Sequence, residues 1–403
     1  MIRSLRGMND ILPPENARFE RFIATATEIA RRYGFTYVET PLLEETALFK
    51  RSVGESSDIV GKEMYQFTDK GGNDVCLRPE GTAGVVRAFV QHKLDRAGGI
   101  HRWFYHGPMF RYERPQKGRL REFHQFGCES FGVASVYEDV TIIQMICDIF
   151  DALGIGYRLK INSLGDRNCM PQYREKLVAF LDGCGDAVCE DCRRRKATNP
   201  IRVLDCKNET CQSLYADAPK LIDNLCEGCD ADFSALRAAL DDAGIAYDVD
   251  THLVRGLDYY SKTAFEFVSD AIGAQSAIAG GGRYDRLVEF LEGRPTPAVG
   301  FAIGIERLLE LIDMPESERE GYYLGVLDAE SLPQILRLAA TLRQREKVVV
   351  EYAPKSLKAH LKGADRIAAR RCAVIGENER AQNAVWVKDL EAKSESVVPM
   401  ASF

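Results

Sequence analysis

Between residues 110 and 129 the chain reads FRYERPQKGRLREFHQFGCE, in which Arg111, Arg114, Lys117, Arg119 and Arg121 place five cations in eleven positions with Glu113 as the sole acid. Pro115 and Gly118 mark a loop between two strands, so the pattern predicts a basic hairpin tip. Guanidinium forks suit phosphate oxygens, and the lysine adds a point charge. A charge run of this kind is usually no more than a solvated hairpin. Here, however, Gln125 and Glu129 share one face of the following strand by their even spacing. A cationic loop beside a polar sheet surface suits a phosphate site adjoining a small-molecule pocket.

Other stretches carry chemistry-bearing residues in smaller numbers. CLRPEGTAGVVRAF sets Glu80 between Pro79 and the pair Gly81-Thr82, where it reads equally as a helix cap and as a ligand. AIAGGGRYDRLVEF has three consecutive glycines, which permit close backbone approach to a ligand but also occur in plain turns, followed by Tyr284. AVGFAIGIERLLELI puts Arg307 at the start of a buried helix, as an exposed first-turn residue or as the floor of an anion site. VRGLDYYSKTAFEF brings Arg255, Gly256, Asp258, Tyr259 and Tyr260 ahead of an alternating run, and a strand entrance needs none of them.

The elements that must position these residues follow from periodicity. Phe19, Phe22, Ile23, Ala26, Ala30 and Tyr33 predict an amphipathic helix over 15–33, stopped by Gly34. FTYVETPLLE reads as a strand that Pro41 confines to an edge or breaks. Further helices are expected over 81–92, 137–153 and 304–312. Strands are expected at HRWFYHGPMFRYE, LREFHQFGCESFG, YRLKINSLG, TAFEFVS and QSAIAGGGRYD. Hairpin-length connections argue for an α+β fold, a large and mostly antiparallel sheet with helices packed on it.

Residues 1–165 and 251–313 hold these strand-rich blocks, and 166–250, helical and rich in cysteine, reads as an insertion between them. A polar linker over 314–321 precedes 322–403, where strands alternate with helices over 331–345 and 357–369 as a small α/β domain. Composition is ordinary for a soluble globular protein of 403 residues, with 45% hydrophobic and 28% charged residues. No apolar run approaches the length that spans a bilayer, and the first residues lack the apolar segment of a signal peptide, so a cytoplasmic location is expected. The last domain has a net charge of +3 against −10 for the rest, which permits a polyanion partner.

Taken together, RGMNDILPPE, RPEGTAG, FRYERPQKGRLREFHQFGCE, LVRGLDYY, GGGRYD and GFAIGIERL resemble the signature blocks of the histidyl-tRNA synthetases, which are class II aminoacyl-tRNA synthetases. The resemblance is colinear over essentially the whole chain, and the arginine-rich hairpin and LVRGLDYY are its most specific parts. Residues 322–403 are more loosely similar to the family's anticodon-binding domain.

The resemblance implies a class II antiparallel core flanked by helices, and a homodimer whose interface involves the N-terminal helix and the Pro41 strand. It implies that ATP and L-histidine form histidyl-adenylate, and that the acyl group moves to the terminal adenosine of tRNA(His). By the same resemblance Arg111 holds the α-phosphate, Arg119 and Arg307 the rest of ATP, and Glu113 the neighbourhood of the adenine, with Mg²⁺ bridging phosphate oxygens. Glu80, Thr82 and Gln125 bind the α-ammonium, and Glu129, Tyr260 and Tyr284 recognise the imidazole. Arg255 sits at the α-phosphate and carboxylate, where related enzymes use a metal ion. Gln116 and Arg121 meet the acceptor end of the tRNA. Tyr112 stands where many relatives carry histidine, with little consequence expected.

Cys189-Cys192 and Cys226-Cys229 are two C-x₂-C pairs, the spacing expected of one tetrahedral Cys₄ zinc site, with Cys206 and Cys211 as alternative ligands. Unligated thiols are the plainer reading of the same cysteines. Two non-catalytic readings compete with an enzyme. One is the synthetase-like regulatory subunit of ATP-phosphoribosyltransferase, which generally lacks the last domain and loses motif residues. The other is a tRNA-binding or stress-sensing module, which predicts a damaged RPEG or RGLDYY block. This chain keeps the last domain and both blocks.

Overall fold

A computed structural model of the chain describes residues 2–54, 57, 59–116, 118–206, 208–254, 259–275, 277–313 and 319–403. Arg255, Gly256, Asp258, Lys117 and most of the expected linker lie outside the described residues. The chain divides into two units, Met1–Met314 and Pro315–Phe403.

In the first unit eight strands form one sheet in the order Thr36–Tyr37, His101–Phe110, Glu122–Phe131, Ala298–Gly304, Ala277–Arg283, Ser261–Val268, Arg158–Ser163 and Asp248–Val249. The outermost pair on each side is parallel. Every junction between them is antiparallel, as hairpin-length connections require. Thr36–Tyr37 is an edge strand, and beyond Pro41 the chain joins a separate small sheet of Leu43–Glu45, Gln66–Thr68 and Asp74–Leu77.

The period of two along each strand sorts side chains onto two faces. Phe104, Phe126, Cys128, Phe265, Phe267 and Phe301 point to one face and are buried with Asn16–Arg32, Val136–Ala152 and Glu227–Asp242. Asn16–Arg32 contributes Phe22, Ala26, Ile29 and Ala30, the stripe that the periodicity marks, and ends where Gly34 takes φ +81°. Val136–Ala152 begins at Ser135, whose hydroxyl accepts from the Tyr137 N–H at 3.3 Å. Its first turn carries Asp139, which is fully buried in an ion pair with Arg283. The other face of the sheet holds Tyr105, Gln125 and Glu129, and this is the face of the site.

The 166–250 stretch is helical as expected, with Met170–Gly183, Glu190–Thr198, Glu209–Leu214 and Glu227–Asp242. It is not walled off from the sheet. Phe233, Leu236 and Leu240 of its last helix are part of the main core, while Tyr173, Leu177, Leu181, Val203 and Tyr215 bury among its cysteines.

In the second unit Val348–Val350, Glu320–Val326 and Ala369–Ile375 run parallel, followed by the antiparallel strands Ala384–Asp389 and Ser394–Pro399. The helix expected over 357–369 stops at Arg366, because Ala368 adopts φ +51° and Ala369 already opens a strand.

Candidate active site

On the polar face of the large sheet, Glu80, Thr82, Arg111, Glu113, Arg119, Gln125, Tyr259, Tyr260, Glu266 and Arg307 line one cleft. Val254, which immediately precedes Arg255, lines it as well.

At one end two buried carboxylates lie close together. Glu80 turns out to be a cap: its oxygens accept from the Thr82 N–H at 2.8 Å and the Ala83 N–H at 2.9 Å, at the start of Thr82–Gln91. It also lines the cleft, so the two readings of Pro-Glu-Gly-Thr hold at once. Burial raises its pKa, while the backbone N–H groups and Arg111 oppose that rise. Glu129, fully buried, accepts from the Thr82 hydroxyl at 2.6 Å, from Tyr105 at 3.3 Å and from the Tyr284 hydroxyl. Burial pushes its pKa up to about 8 against the hydrogen bonds from Thr82 and Tyr284, with Glu80 nearby adding to the rise. Glu129 and Tyr284 are not on the cleft wall, and Glu129 lies one hydrogen bond behind Thr82.

The backbone makes room for this carboxylate. Glu129 pairs across the sheet with Gly300, and a Cβ on Gly300 would come within 1.8 Å of Glu129 Oε2. Of the three consecutive glycines, Gly280 lines the cleft, whereas the space beside Gly281 is taken by the Phe265 ring and the Gly300 carbonyl. Close approach there serves the sheet itself more than a ligand.

Two polar atoms near this end have no hydrogen-bond partner of acceptable geometry among the described residues: Gln125 Oε1 and the Tyr259 hydroxyl, both buried. Tyr260 stacks at an angle on Tyr259, with ring centres 4.7 Å apart. Sequence reasoning missed Tyr105, because an aromatic on a strand reads as core. The signal for Tyr105 was Gly127, its cross-strand neighbour, where a Cβ would lie 2.4 Å from the phenol ring.

The other end is cationic. Arg111 lies over Phe123 at 5.2 Å and donates to the Pro79 carbonyl at 2.8 Å. Arg307 donates to the carbonyls of Gly118 at 2.9 Å and Ala277 at 2.8 Å, which settles it as the floor of the cleft. Burial lowers its pKa, and the like charges of Arg119 and Arg111 add to that, with Glu113 opposing. Glu113 pairs with Arg119 at 3.1 Å and stands 3.9 Å from Arg111. Three guanidiniums thus converge at one end of the cleft, beside the carboxylates of Glu113, Glu266 and Glu306, and converging guanidinium forks suit a polyphosphate.

Gln116 and Arg121 do not line the cleft. A β-bridge between Gln116 and Arg119 closes the hairpin tip. Arg121 stacks on Tyr112 at 3.7 Å and donates to the Glu113 carbonyl at 3.1 Å. Tyr112 therefore has a definite role at this position, as the platform for Arg121.

Of the two expectations for the cysteines, the one with Cys206 and Cys211 as alternative ligands holds for one pair. Cys189 and Cys192 cluster with Cys206 and Cys211, whereas Cys226 and Cys229 cluster with Asp166 and Cys169. The two C-x₂-C pairs do not form one site, because each opens a different helix and meets a different partner loop.

A family profile described as Histidyl-tRNA synthetase matches residues 7–308, and one described as Anticodon binding domain matches residues 320–403. A Histidine–tRNA ligase of Sulfurimonas denitrificans is 68% identical over 398 residues, covering 99% of this chain and 99% of that one. Another, from Campylobacter jejuni, is 56% identical over 403 residues and covers 100% and 98%. Among solved structures, the apo histidyl-tRNA synthetase of S. aureus aligns at a TM-score of 0.83 with 33% identity, over 100% of this chain and 98% of that one. An ATP phosphoribosyltransferase regulatory subunit/histidyl-tRNA synthetase from Bacillus halodurans shares the fold at a TM-score of 0.67 and 23% identity, over 93% and 98%.

Proposed function

Because this chain belongs to the histidyl-tRNA synthetase family and joins histidine to its tRNA, we propose a division of labour among the residues of its cleft. In the reaction a carboxylate oxygen of L-histidine bonds to the α-phosphorus of ATP as the bond to the leaving pyrophosphate breaks, giving histidyl-adenylate. The terminal adenosine hydroxyl of tRNA(His) then takes the acyl group and AMP leaves. The first step brings two anions together, so positioned cations supply most of the stabilisation.

Arg111 holds the α-phosphate, Arg119 and Arg307 the remaining phosphates, and Glu113 faces the adenine. The mutual repulsion of three guanidiniums, relieved by a bound polyanion, supports this set. Mg²⁺ fits the same end. Glu266 and Glu306 both line the cleft beside Arg307, and one carboxylate with phosphate oxygens and water is a usual donor set. When bound, the ion neutralises charge on the phosphates. Arg255 lies between the cleft-lining Val254 and Tyr259 in sequence and steadies the α-phosphate and the attacking carboxylate.

The observation that carries the amino-acid end is Gln125 Oε1, a buried acceptor with no donor among the described residues. Leaving such an atom unpaired costs about 1–3 kcal/mol, and a substrate ammonium satisfies it. Gln125 takes that ammonium together with Glu80 and Thr82. Tyr260 takes the imidazole on the cleft wall, Glu129, with Tyr284 on its second oxygen, acts on it from one hydrogen bond behind Thr82, and Tyr259 joins them through its hydroxyl. An apolar isostere leaves these groups unpaired and is rejected. Gln116 presents the exposed hairpin tip to the acceptor end, and Arg121, held on Tyr112, stiffens its base.

Histidine-dependent ATP–pyrophosphate exchange tests the assignment of Arg255. Arg255→Ala is expected to lose several orders of magnitude, and unchanged exchange would remove it from the mechanism.

The chain acts as a homodimer in this reading. Asn16–Arg32 buries its apolar stripe in its own core, so the face left for a second copy is the small sheet. Leu43 pairs with Leu77 and Phe67 with Val75, so all four share one side of it, with Leu43 47% and Phe67 46% exposed. Leu43→Asp is expected to yield monomers by light scattering. A cytoplasmic location fits the twelve free cysteines. Among the described residues no helix is long and apolar enough to cross a membrane.

A further inference from the structure

The cysteines of the 166–250 stretch are the largest group of potential ligands that the aminoacylation reaction does not use. They form two clusters. In one, the sulfurs of Cys189, Cys192, Cys206 and Cys211 lie within 4.8 Å of one another; in the other, one oxygen of Asp166 and the sulfurs of Cys169, Cys226 and Cys229 do the same. We propose that the chain holds two structural zinc ions, one in the Cys₄ set and one in the AspCys₃ set.

Distances favour a shared ion over disulfides. Tetrahedral zinc with bonds of about 2.3 Å sets its sulfurs about 3.8 Å apart, and the sulfurs of Cys189 and Cys206 stand 3.8 Å apart. A disulfide needs about 2.05 Å, and every cysteine here is free. In the second cluster Asp166 Oδ1 stands 3.5 Å from the Cys169 sulfur and 3.8 Å from that of Cys226.

The local folding points the same way in both clusters. Cys189 is the residue before Glu190–Thr198 and Cys226 the residue before Glu227–Asp242. Each C-x₂-C pair therefore places both sulfurs on the first turn of a helix, whose positive end favours thiolates. Backbone donors complete the shell: the Cys189 N–H reaches the Cys211 sulfur at 3.2 Å, and the Cys226 N–H reaches the Cys169 sulfur at 3.1 Å. Each set offers four ligand atoms, which fill a tetrahedral shell; Cys169, Cys192, Cys206, Cys211 and Cys229 are buried, and Asp166, Cys189 and Cys226 half-buried. Closed tetrahedral sets of this kind are structural. Soft thiolates in that geometry select zinc over magnesium or calcium.

The AspCys₃ ion also braces the histidine end of the cleft. Leu164 N–H donates to the Lys262 carbonyl at 2.6 Å and Lys262 N–H to the Gly165 carbonyl at 2.6 Å, directly beside Asp166. Lys262 Nζ reaches Asp232 at 2.8 Å on the helix that Cys226 begins. Two ties thus join this ion to the residue two places after Tyr260.

Metal content of the full-length protein, purified without added metal and exchanged into chelator-treated buffer, is the test. Plasma mass spectrometry is expected to find two zinc ions per chain, one in Cys211→Ser, one in Cys229→Ser and none in the double variant. The wild-type count stands even if a variant misfolds, and zero zinc there overturns both sites. A count unchanged by one substitution overturns that site alone. Iron in place of zinc, visible as coloured thiolate absorption, overturns the metal. Asp166→Asn is expected to raise KM for histidine several-fold with little change in kcat, and Cys211→Ser is not. Equal effects overturn the bracing role.

Discussion

Thr82 donates its hydroxyl to Glu129 at 2.6 Å and its backbone N–H to Glu80 at 2.8 Å, so a single residue holds both buried carboxylates of the histidine end. Each carboxylate is therefore oriented by donors of the protein itself, independently of any ligand.

Thr82→Val preserves the shape of the side chain and the bond to Glu80 but removes the donor to Glu129. With its pKa near 8, Glu129 is mostly protonated at neutral pH, and a neutral hydrogen bond contributes roughly 0.5–1.5 kcal/mol, so KM for histidine is expected to rise about two- to tenfold in pyrophosphate exchange. KM for ATP should stay within about twofold. A matching rise for ATP would mean that Thr82 holds the whole cleft rather than one end.

The buried Glu129 carboxyl, with its pKa near 8, makes stability depend on pH. An unfolded glutamate titrates near 4.3, so the unfolded chain ionises first as pH rises. The stabilising contribution is complete below that value and is lost as pH climbs towards about 8. The melting temperature of the ligand-free protein is therefore expected to fall across this window, and Glu129→Gln should remove part of the fall. Superimposable pH profiles for the two proteins would contradict it.

Arg307 is held by two carbonyls, with Arg119 and Arg111 disfavouring and Glu113 and Glu266 favouring its charge, and in the proposed division of labour it meets the phosphates of ATP. Arg307→Ala should raise KM for ATP by about ten- to a hundredfold, the value of one charge-assisted contact. It should also shrink the thermal shift that ATP produces. A thermal shift equal to that of the wild type would place the phosphates elsewhere.

Arg283 and Asp139 pair in the core with side-chain exposures of 3% and 0%. Arg283 also donates to the carbonyls of Val133 at 3.0 Å and Ser135 at 2.9 Å, so it cannot follow a lost partner into solvent. Asp139→Ala removes the fully buried partner and leaves the buried cation only Asp285, 3.3 Å away and 28% exposed, so it is expected to cost about 3 kcal/mol in urea unfolding. A loss below about 1 kcal/mol, the range of surface pairs, would show that the pair is replaceable.

Much of this was legible in residue types and spacing. The even separation of Gln125 and Glu129 put them on one sheet face, and the Asn16–Arg32 stripe and the Gly34 stop were read from periodicity alone. The helix end at Arg366 was not, because alanine gives no warning of the left-handed backbone at Ala368. Nor was the full grouping of the cysteines. Alike C-x₂-C pairs suggest one site, but which sulfurs meet depends on where two helices begin in space, and Asp166 and Cys169 have no motif to mark them. Tyr105 was hidden for a third reason: only its cross-strand partner, not its own neighbours in sequence, shows that its ring crosses to the site.

Gly300 makes room for the Glu129 carboxylate by what it lacks. One methyl group there would occupy the place of a Glu129 oxygen and push the carboxylate from its hydroxyl partners. If Glu129 recognises the imidazole as proposed, discrimination between histidine and its competitors depends on a backbone position that bears no functional group. An effort to retune the enzyme by varying only side chains that face the substrate would overlook the residue that limits how large the carboxylate's chamber can be.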